Sequence, residues 1–305
     1  MHTIALSTMW GIQRFPQFDD FFVAAQASGF TSFELNHGVN SAMLASVHLN
    51  GRRITSVHEP CPADLSPAEL KRRDWLISAT DEENRRHAVA AVRRSIDLAH
   101  QIGATAVIVH PGRVVMDETA EATMRQLYRE GKRHTPEYER ILERMVTERA
   151  ERAPVHLAAV RRSLAELAEQ AARLGVRLGL ENRDHYFEIP LIDELAELLD
   201  GGYGDTVGYW HDVGHAQKSE YKGYGPHAAW LNRFSDKIIG VHLHDIAGME
   251  DHLAAGQGQM PWEMLARRLP TGDILRTCEF QNTNSPEQVA AGLRWLVDRG
   301  LIPDT

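Results

Sequence analysis

Short runs of β-branched and apolar residues alternate along this chain with longer stretches whose apolar positions recur every three or four residues. The short runs are Thr3–Ser7, Ser32–Leu35, Ile54–Val57, Ala104–Val109, Val176–Leu180, Val207–Trp210, Ile238–Leu243 and Ile274–Cys278. Several are continuously apolar, as strands covered on both faces must be. Strand and helix in alternation predict βα units in a parallel sheet. Eight such units predict a closed (β/α)₈ barrel, the TIM-barrel architecture.

The helical stretches carry their own boundaries. Thr80 with Glu83 has the spacing of a capping box before a long apolar-periodic segment that stops at Gly103. Ser285-Pro286-Glu287-Gln288 opens the last helix with proline at its first position. Leu164, Leu167, Ala168, Ala171 and Leu174 repeat at helical spacing and end at Gly175, just before the fifth strand. Between the fourth strand and that helix runs a charged stretch, residues 116–153, too long for an ordinary βα loop. It is helix-prone and reads as an insertion over the barrel mouth within one domain spanning residues 1–305; the alternative is a solvated excursion without a role.

Composition narrows the class. With 43% hydrophobic residues the chain can bury a large core, and no stretch reaches the roughly 20 apolar residues of a membrane span. Met1 to Ser7 enters directly on a strand-like run without a basic leader, so the expected setting is the cytoplasm. Cys61 and Cys278 are far apart and would stay thiols there. The formal charge of −9, with no long Lys/Arg cluster, disfavours a nucleic-acid partner.

Histidine, at 16 residues, collects at the ends of the apolar runs. The second run leads into Glu34-Leu35-Asn36-His37, the third into His58-Glu59-Pro60 and the fourth into His110-Pro111-Gly112. The fifth leads into Glu181-Asn182, the sixth into His211-Asp212-Val213-Gly214-His215, the seventh holds His242-Leu243-His244-Asp245, and the eighth ends in Cys278-Glu279. In a (β/α)₈ barrel these C-terminal strand ends converge on one mouth. One strand-end histidine is ordinarily a hydrogen-bonded structural group. Seven polar strand ends around one point would leave several unpaired charges buried, each costing several kcal/mol, unless a cation gathers them. Carboxylates and imidazoles without thiolate suit Mn²⁺, Zn²⁺, Co²⁺ or Fe²⁺, with Mg²⁺ admitted if oxygen ligands dominate.

This strand-end pattern resembles the xylose-isomerase-like barrel superfamily, which includes sugar isomerases and epimerases and the endonuclease IV type of phosphodiesterase. The resemblance covers nearly the whole chain and implies metal ligands at Glu181, Asp212, His242 and Glu279. His242 and His244 point the same way on a period-2 strand, and the family pattern places the ligand first. His215 then matches a substrate-contacting histidine of the isomerases, and His244 and Asn182 are expected beside it as substrate contacts. Glu250-Asp251-His252 followed by Gly256-Gln257-Gly258 resembles the Asp-x-His and glycine-rich loop of the endonuclease branch, with Glu250 in the aspartate's place. His58, His110, His215, Glu250 and His252 would then be further metal ligands, for a total of up to three ions.

Two reactions follow. In one, an isomerase or epimerase acts on a sugar, sugar acid, sugar phosphate or cyclitol, with the metal stabilising an enediolate while Glu181 and Glu279 move the proton. In the other, two or three metals activate water against a small phosphoester. A non-catalytic metal-binding sugar sensor is the third reading, and it has no need of carboxylates on both sides of the metal. A small polyol or sugar is the expected partner, and homo-oligomerisation stays open.

Overall fold

Eight parallel strands close into a barrel in the computed structural model, which describes residues 4–302. They are β1 (Ala5–Ser7), β2 (Ser32–Leu35), β3 (Arg53–His58), β4 (Ala106–Val109), β5 (Arg177–Glu181), β6 (Val207–Asp212), β7 (Ile238–Leu243) and β10 (Leu275–Cys278). The remaining two strands, β8 (Asp245–Ala247) and β9 (Glu250–Leu253), form an antiparallel hairpin on the mouth side of β7 that the hydrophobic pattern does not announce. β1 pairs with both β2 and β10, which closes the ring. Thr3, where the first run begins, lies outside the described residues.

Two layers of apolar contact follow from strand alternation. One face of each strand packs against the outer helices in the main core, while Ala106, Ile108, Trp210 and Ile239 fill the barrel interior. Trp210 is the plug. A Cβ on Gly240 would lie 2.1 Å from its ring, so the strand beside it must carry glycine. The plug also makes a floor, with the His242 ring centroid 5.2 Å from that of Trp210.

Helix ends obey their local chemistry with one shift. Ser285 and Gln288 form the capping box expected of them, and Gly103 and Gly175 end their helices with φ of 75° and 67°. The helix Glu82–Ile102, however, is capped by Asp81, whose side chain accepts from the Asn84 amide at 2.9 Å; Thr80 has no such role.

The insertion also departs from its expected bounds. A helix Glu118–Arg129 is followed by one of 39 residues, Pro136–Leu174, that runs unbroken through residue 153 into the barrel helix before β5. The inserted half builds its own small core from Met116, Met124, Leu127, Tyr138 and Met145 against Phe187 of the loop after β5. Among the described residues no helix is long and apolar enough to cross a membrane.

Candidate metal centre

Four strand-end residues meet at one point above the Trp210 floor. One ligand atom from each of Glu181, Asp212, His242 and Glu279 lies within 4.8 Å of the others, and all four residues are buried. Donors about 2.0–2.4 Å from one cation can be no farther apart than roughly 4.8 Å, so the spacing suits a metal's first coordination sphere. His242 Nδ1 stands 2.8 Å from Glu181 Oε1, 3.4 Å from Glu279 Oε2 and 3.6 Å from Asp212 Oδ2. Its other nitrogen, Nε2, faces Glu34 Oε1 at 3.1 Å, and Glu34 in turn accepts from Ser56 Oγ at 2.8 Å. A carboxylate behind the imidazole fixes ring orientation and raises its basicity as a ligand.

Two residues expected at the substrate are hydrogen-bonded to Asp212. His244 is fully buried: the His252 amide donates to its Nδ1 at 3.0 Å, which leaves Nε2 to donate to Asp212 at 3.1 Å. Asn182 is buried too, accepting from the Asp212 amide at 2.8 Å and donating to the Asp212 carbonyl at 2.9 Å. Both hold Asp212 in place and neither lines the cavity described below. Asp212 itself caps the helix Val213–Lys222 by accepting from the His215 amide at 2.7 Å.

A second group gathers on the far side of Glu181. His58 Nε2 is 3.8 Å and His110 Nε2 2.6 Å from Glu181 Oε2. The cation between them is a side chain, Arg183, whose Nη1 donates to Glu181 Oε2 at 2.6 Å and stands 2.7 Å from His110 Nε2. The third group is His215, Asp251 and His252, not Glu250. In the β8–β9 hairpin Glu250 pairs opposite Ala247 and is exposed, so Asp251 turns to the mouth. There Lys218 Nζ bonds Asp251 and Asp184, both at 2.8 Å. His215 and His252 spend Nδ1 on the carbonyls of Asn182 and Glu279, at 3.1 and 3.0 Å, which leaves each Nε2 free to accept. His252 does so from a left-handed φ of 57°, a conformation that non-glycine residues seldom adopt.

The glycine-rich loop is structural. The Asp245 carboxylate accepts from the amides of Ile246, Gly256 and Met260 and from Trp262 Nε1, at 2.8–3.1 Å, and so ties Gly256-Gln257-Gly258 to the end of β7.

Charge in the centre is unbalanced without a cation. Burial, reinforced by Glu181, Asp212 and Glu34 and partly offset by His242, pushes the Glu279 carboxyl up to about 8. Burial also opposes ionisation of Glu181, yet His110 and Arg183 hold it well below the carboxylate range; His215 and His244 do the same for Asp212. His242, despite burial, is driven well above the usual imidazole value by Glu279 and Glu34. A proton on Glu279 and another on His242 are the substitutes that crowded carboxylates take up when no divalent ion neutralises them. The donor set therefore fits a metal. By contrast, burial lowers His37 to about 3 and His252 to about 4, so both are neutral acceptors.

Above the centre opens a cavity of about 400 Å³. Glu181, Glu279, His215 and His252 reach it, together with His37 from the second strand end and with Arg183, a residue that the strand-end pattern alone does not single out. His37 Nδ1 is buried without a hydrogen-bond partner.

Residues 22–299 match the family model described as xylose isomerase-like TIM barrel. An uncharacterised protein of Methanocaldococcus jannaschii is 25% identical over 239 residues, 76% of this chain and 66% of that protein, so the chain spans just under two thirds of its relative. Among solved structures, a D-tagatose 3-epimerase-like protein superposes with a TM-score of 0.66 at 18% identity, covering 98% of this chain and 97% of its own. L-ribulose 3-epimerase gives 0.67 at 15%, over 99% and 95%. The IolI protein with a binding zinc atom gives 0.67 at 13%, over the full length of both. These likenesses carry the fold.

Proposed function

Because the chain belongs to the xylose isomerase-like TIM barrel family, we propose that it is a metal-dependent isomerase or epimerase that moves a proton at carbon on a sugar-like polyol. The observation that supports this most is the pair of carboxylates, Glu181 and Glu279, which share one cavity around one cation-sized point while side-chain cations fill the neighbouring positions. The sugar epimerase and zinc-bound relatives agree with it.

Glu181, Asp212, His242 and Glu279 would hold the divalent ion, whose charge polarises a substrate oxygen and so acidifies the adjacent C–H. One carboxylate takes that proton and the other returns it, from the opposite side for an epimerisation or at the neighbouring carbon for an isomerisation. Arg183 and His110 occupy Glu181 Oε2 and fix that carboxylate in orientation. His215 and His252, each with Nε2 free, accept hydrogen bonds from substrate hydroxyls. The test is incubation with D-tagatose, L-ribulose and an inosose in D₂O, since a carbon-bound proton that passes through a carboxyl exchanges with solvent. Loss of a C–H resonance is expected, and Glu279→Gln should suppress it by about 100-fold or more. Phosphomonoester or phosphodiester cleavage without exchange in any polyol would replace this reading with the hydrolase.

Metal count separates the same alternatives by a route other than activity. Arg183 sits against His110 and Glu181, where it would compete with a second ion for the same atoms. Chelator-free protein should carry one metal per chain by elemental analysis. Arg183→Met, which frees His110 Nε2 and Glu181 Oε2, should take up a second at saturating Zn²⁺. A wild-type protein with two or three equivalents contradicts the single-ion assignment.

A further inference from the structure

The polyol cavity does not end at the metal centre. Lys71, on the helix Pro67–Arg72, and Phe187, in the loop after β5, line it and also line a second cavity of about 370 Å³ beside the insertion helix Glu118–Arg129. The two spaces adjoin across these side chains.

Their shared wall is positively charged. Lys71 Nζ bonds Glu118 at 2.7 Å and lies 4.7 Å from the Phe187 ring centroid. Arg113, which lines the first cavity, pairs with the same Glu118 carboxylate, and its buried Nε has no partner. Arg125 and Arg129 reach the second cavity, and among the described residues neither makes a salt bridge. The other acid there, Glu121, is committed to Lys222 at 2.7 Å and to His185 at 3.2 Å. Four cations thus line the two adjoining spaces, with Glu118, already shared by Lys71 and Arg113, the acid set against them, in a chain whose formal charge is −9. Such an excess is unfavourable in isolation, and an oxyanion shared between guanidinium and ammonium groups relieves it.

We propose that Lys71, Arg113, Arg125 and Arg129 form an anion subsite, so that the substrate is a polyol carrying a phosphate or a carboxylate at the end remote from the reacting carbon. This rests on the isomerase reading for the reacting end. The anion end depends on none of the candidate metal ligands.

The experiment is calorimetric titration of the metal-loaded full chain with D-tagatose, D-tagatose 6-phosphate and D-tagaturonate. At least one anionic sugar should bind about tenfold or more tighter than the neutral one, and whichever does names the anion. Lys71→Met, and separately Arg125→Ala with Arg129→Ala, should reduce that ratio to below about threefold, while Arg86→Ala, a control on the exposed face of the helix Glu82–Ile102, should leave it intact. Inorganic phosphate titrated into EDTA-treated protein isolates the subsite. Binding there that Arg125→Ala with Arg129→Ala removes upholds the subsite even if no polyol exchanges its C–H. Equal binding of neutral and anionic sugars, or a ratio that all the substitutions leave unchanged, overturns the proposal.

Discussion

An Asp212→Ala protein should fold, lose its metal on dialysis and turn over at least on the order of 10³-fold more slowly, because it removes one ligand and releases two supports at once. Asp212 gives an oxygen to the four-residue point, accepts a hydrogen bond from His244 Nε2 and caps the helix Val213–Lys222. Losing the cap costs about 1 kcal/mol, too little to unfold a barrel of this size. Asp212→Asn separates the roles. Its side-chain oxygen still accepts from the His215 amide, so the melting temperature should stay near wild type, whereas the lost charge should still reduce metal content and activity. If Asp212→Asn retains full metal and full turnover, Asp212 is a structural cap and the centre has been placed wrongly. Elemental analysis, circular-dichroism melts and the solvent-exchange assay provide the three readouts.

The barrel was legible because its strands are short apolar runs with abrupt ends, and each run of the sequence lies on or within two residues of an observed strand. The helix through residues 136–174 was not, because Pro154 looks like a boundary. It sits on the exposed face, with exposed Val155 beside it, where water can satisfy the carbonyl a proline leaves unbonded. The β8–β9 hairpin escaped for a different reason. Its sequence, Asp245-Ile246-Ala247 and Glu250-Asp251-His252-Leu253, is half polar and lacks the apolar alternation of a strand that faces a core.

At the mouth, strand position told which residues approach one another but not what each does there. Glu181, Asp212, His242 and Glu279 were implied by the family resemblance, and their strand ends do converge, as inward-facing positions on successive strands must. Asn182 and His244 could not be told from substrate contacts, because that distinction lies in side-chain direction and in which backbone groups occupy their hydrogen-bonding atoms. Glu250 was taken for Asp251 since hairpin register, one residue either way, exchanges the inward and outward faces. Strand-end reading passed over Arg183 and named Glu34 without a role, although both carried a signal. Glu34 is a lone acid inside an otherwise buried strand, and Arg183 is a cation two residues beyond a buried glutamate.

Replacing Lys222 with Met should cost about 3–5 kcal/mol, the penalty for leaving buried charges without their partner, and lower the melting temperature by roughly 10 °C. Lys222 is fully buried, donates to Glu121 at 2.7 Å and to the Asp184 carbonyl, and so fastens the insertion helix to the barrel. Lys218, one turn earlier on the same helix, shares Asp184 and passes the chain of charges to Asp251 at the cavity. Burial works against an ionised Glu121, but His185 and Lys222 overcome it and hold the carboxyl below its ordinary 4.5. A lowered native pKa means that ionised Glu121 stabilises the fold above the ordinary value and that the contribution disappears as pH falls through the native one. The melting deficit of Glu121→Gln should therefore be full at neutral pH and close in acid. The double variant Lys222→Met/Glu121→Gln should be less destabilised than the sum of the singles by about 0.5–3 kcal/mol, because it no longer buries a lone carboxylate beside the insertion. A Lys222→Met protein that melts within a degree or two of wild type would show that the insertion is held by its apolar core of Met124, Leu127 and Tyr138, with the charge network as a passenger.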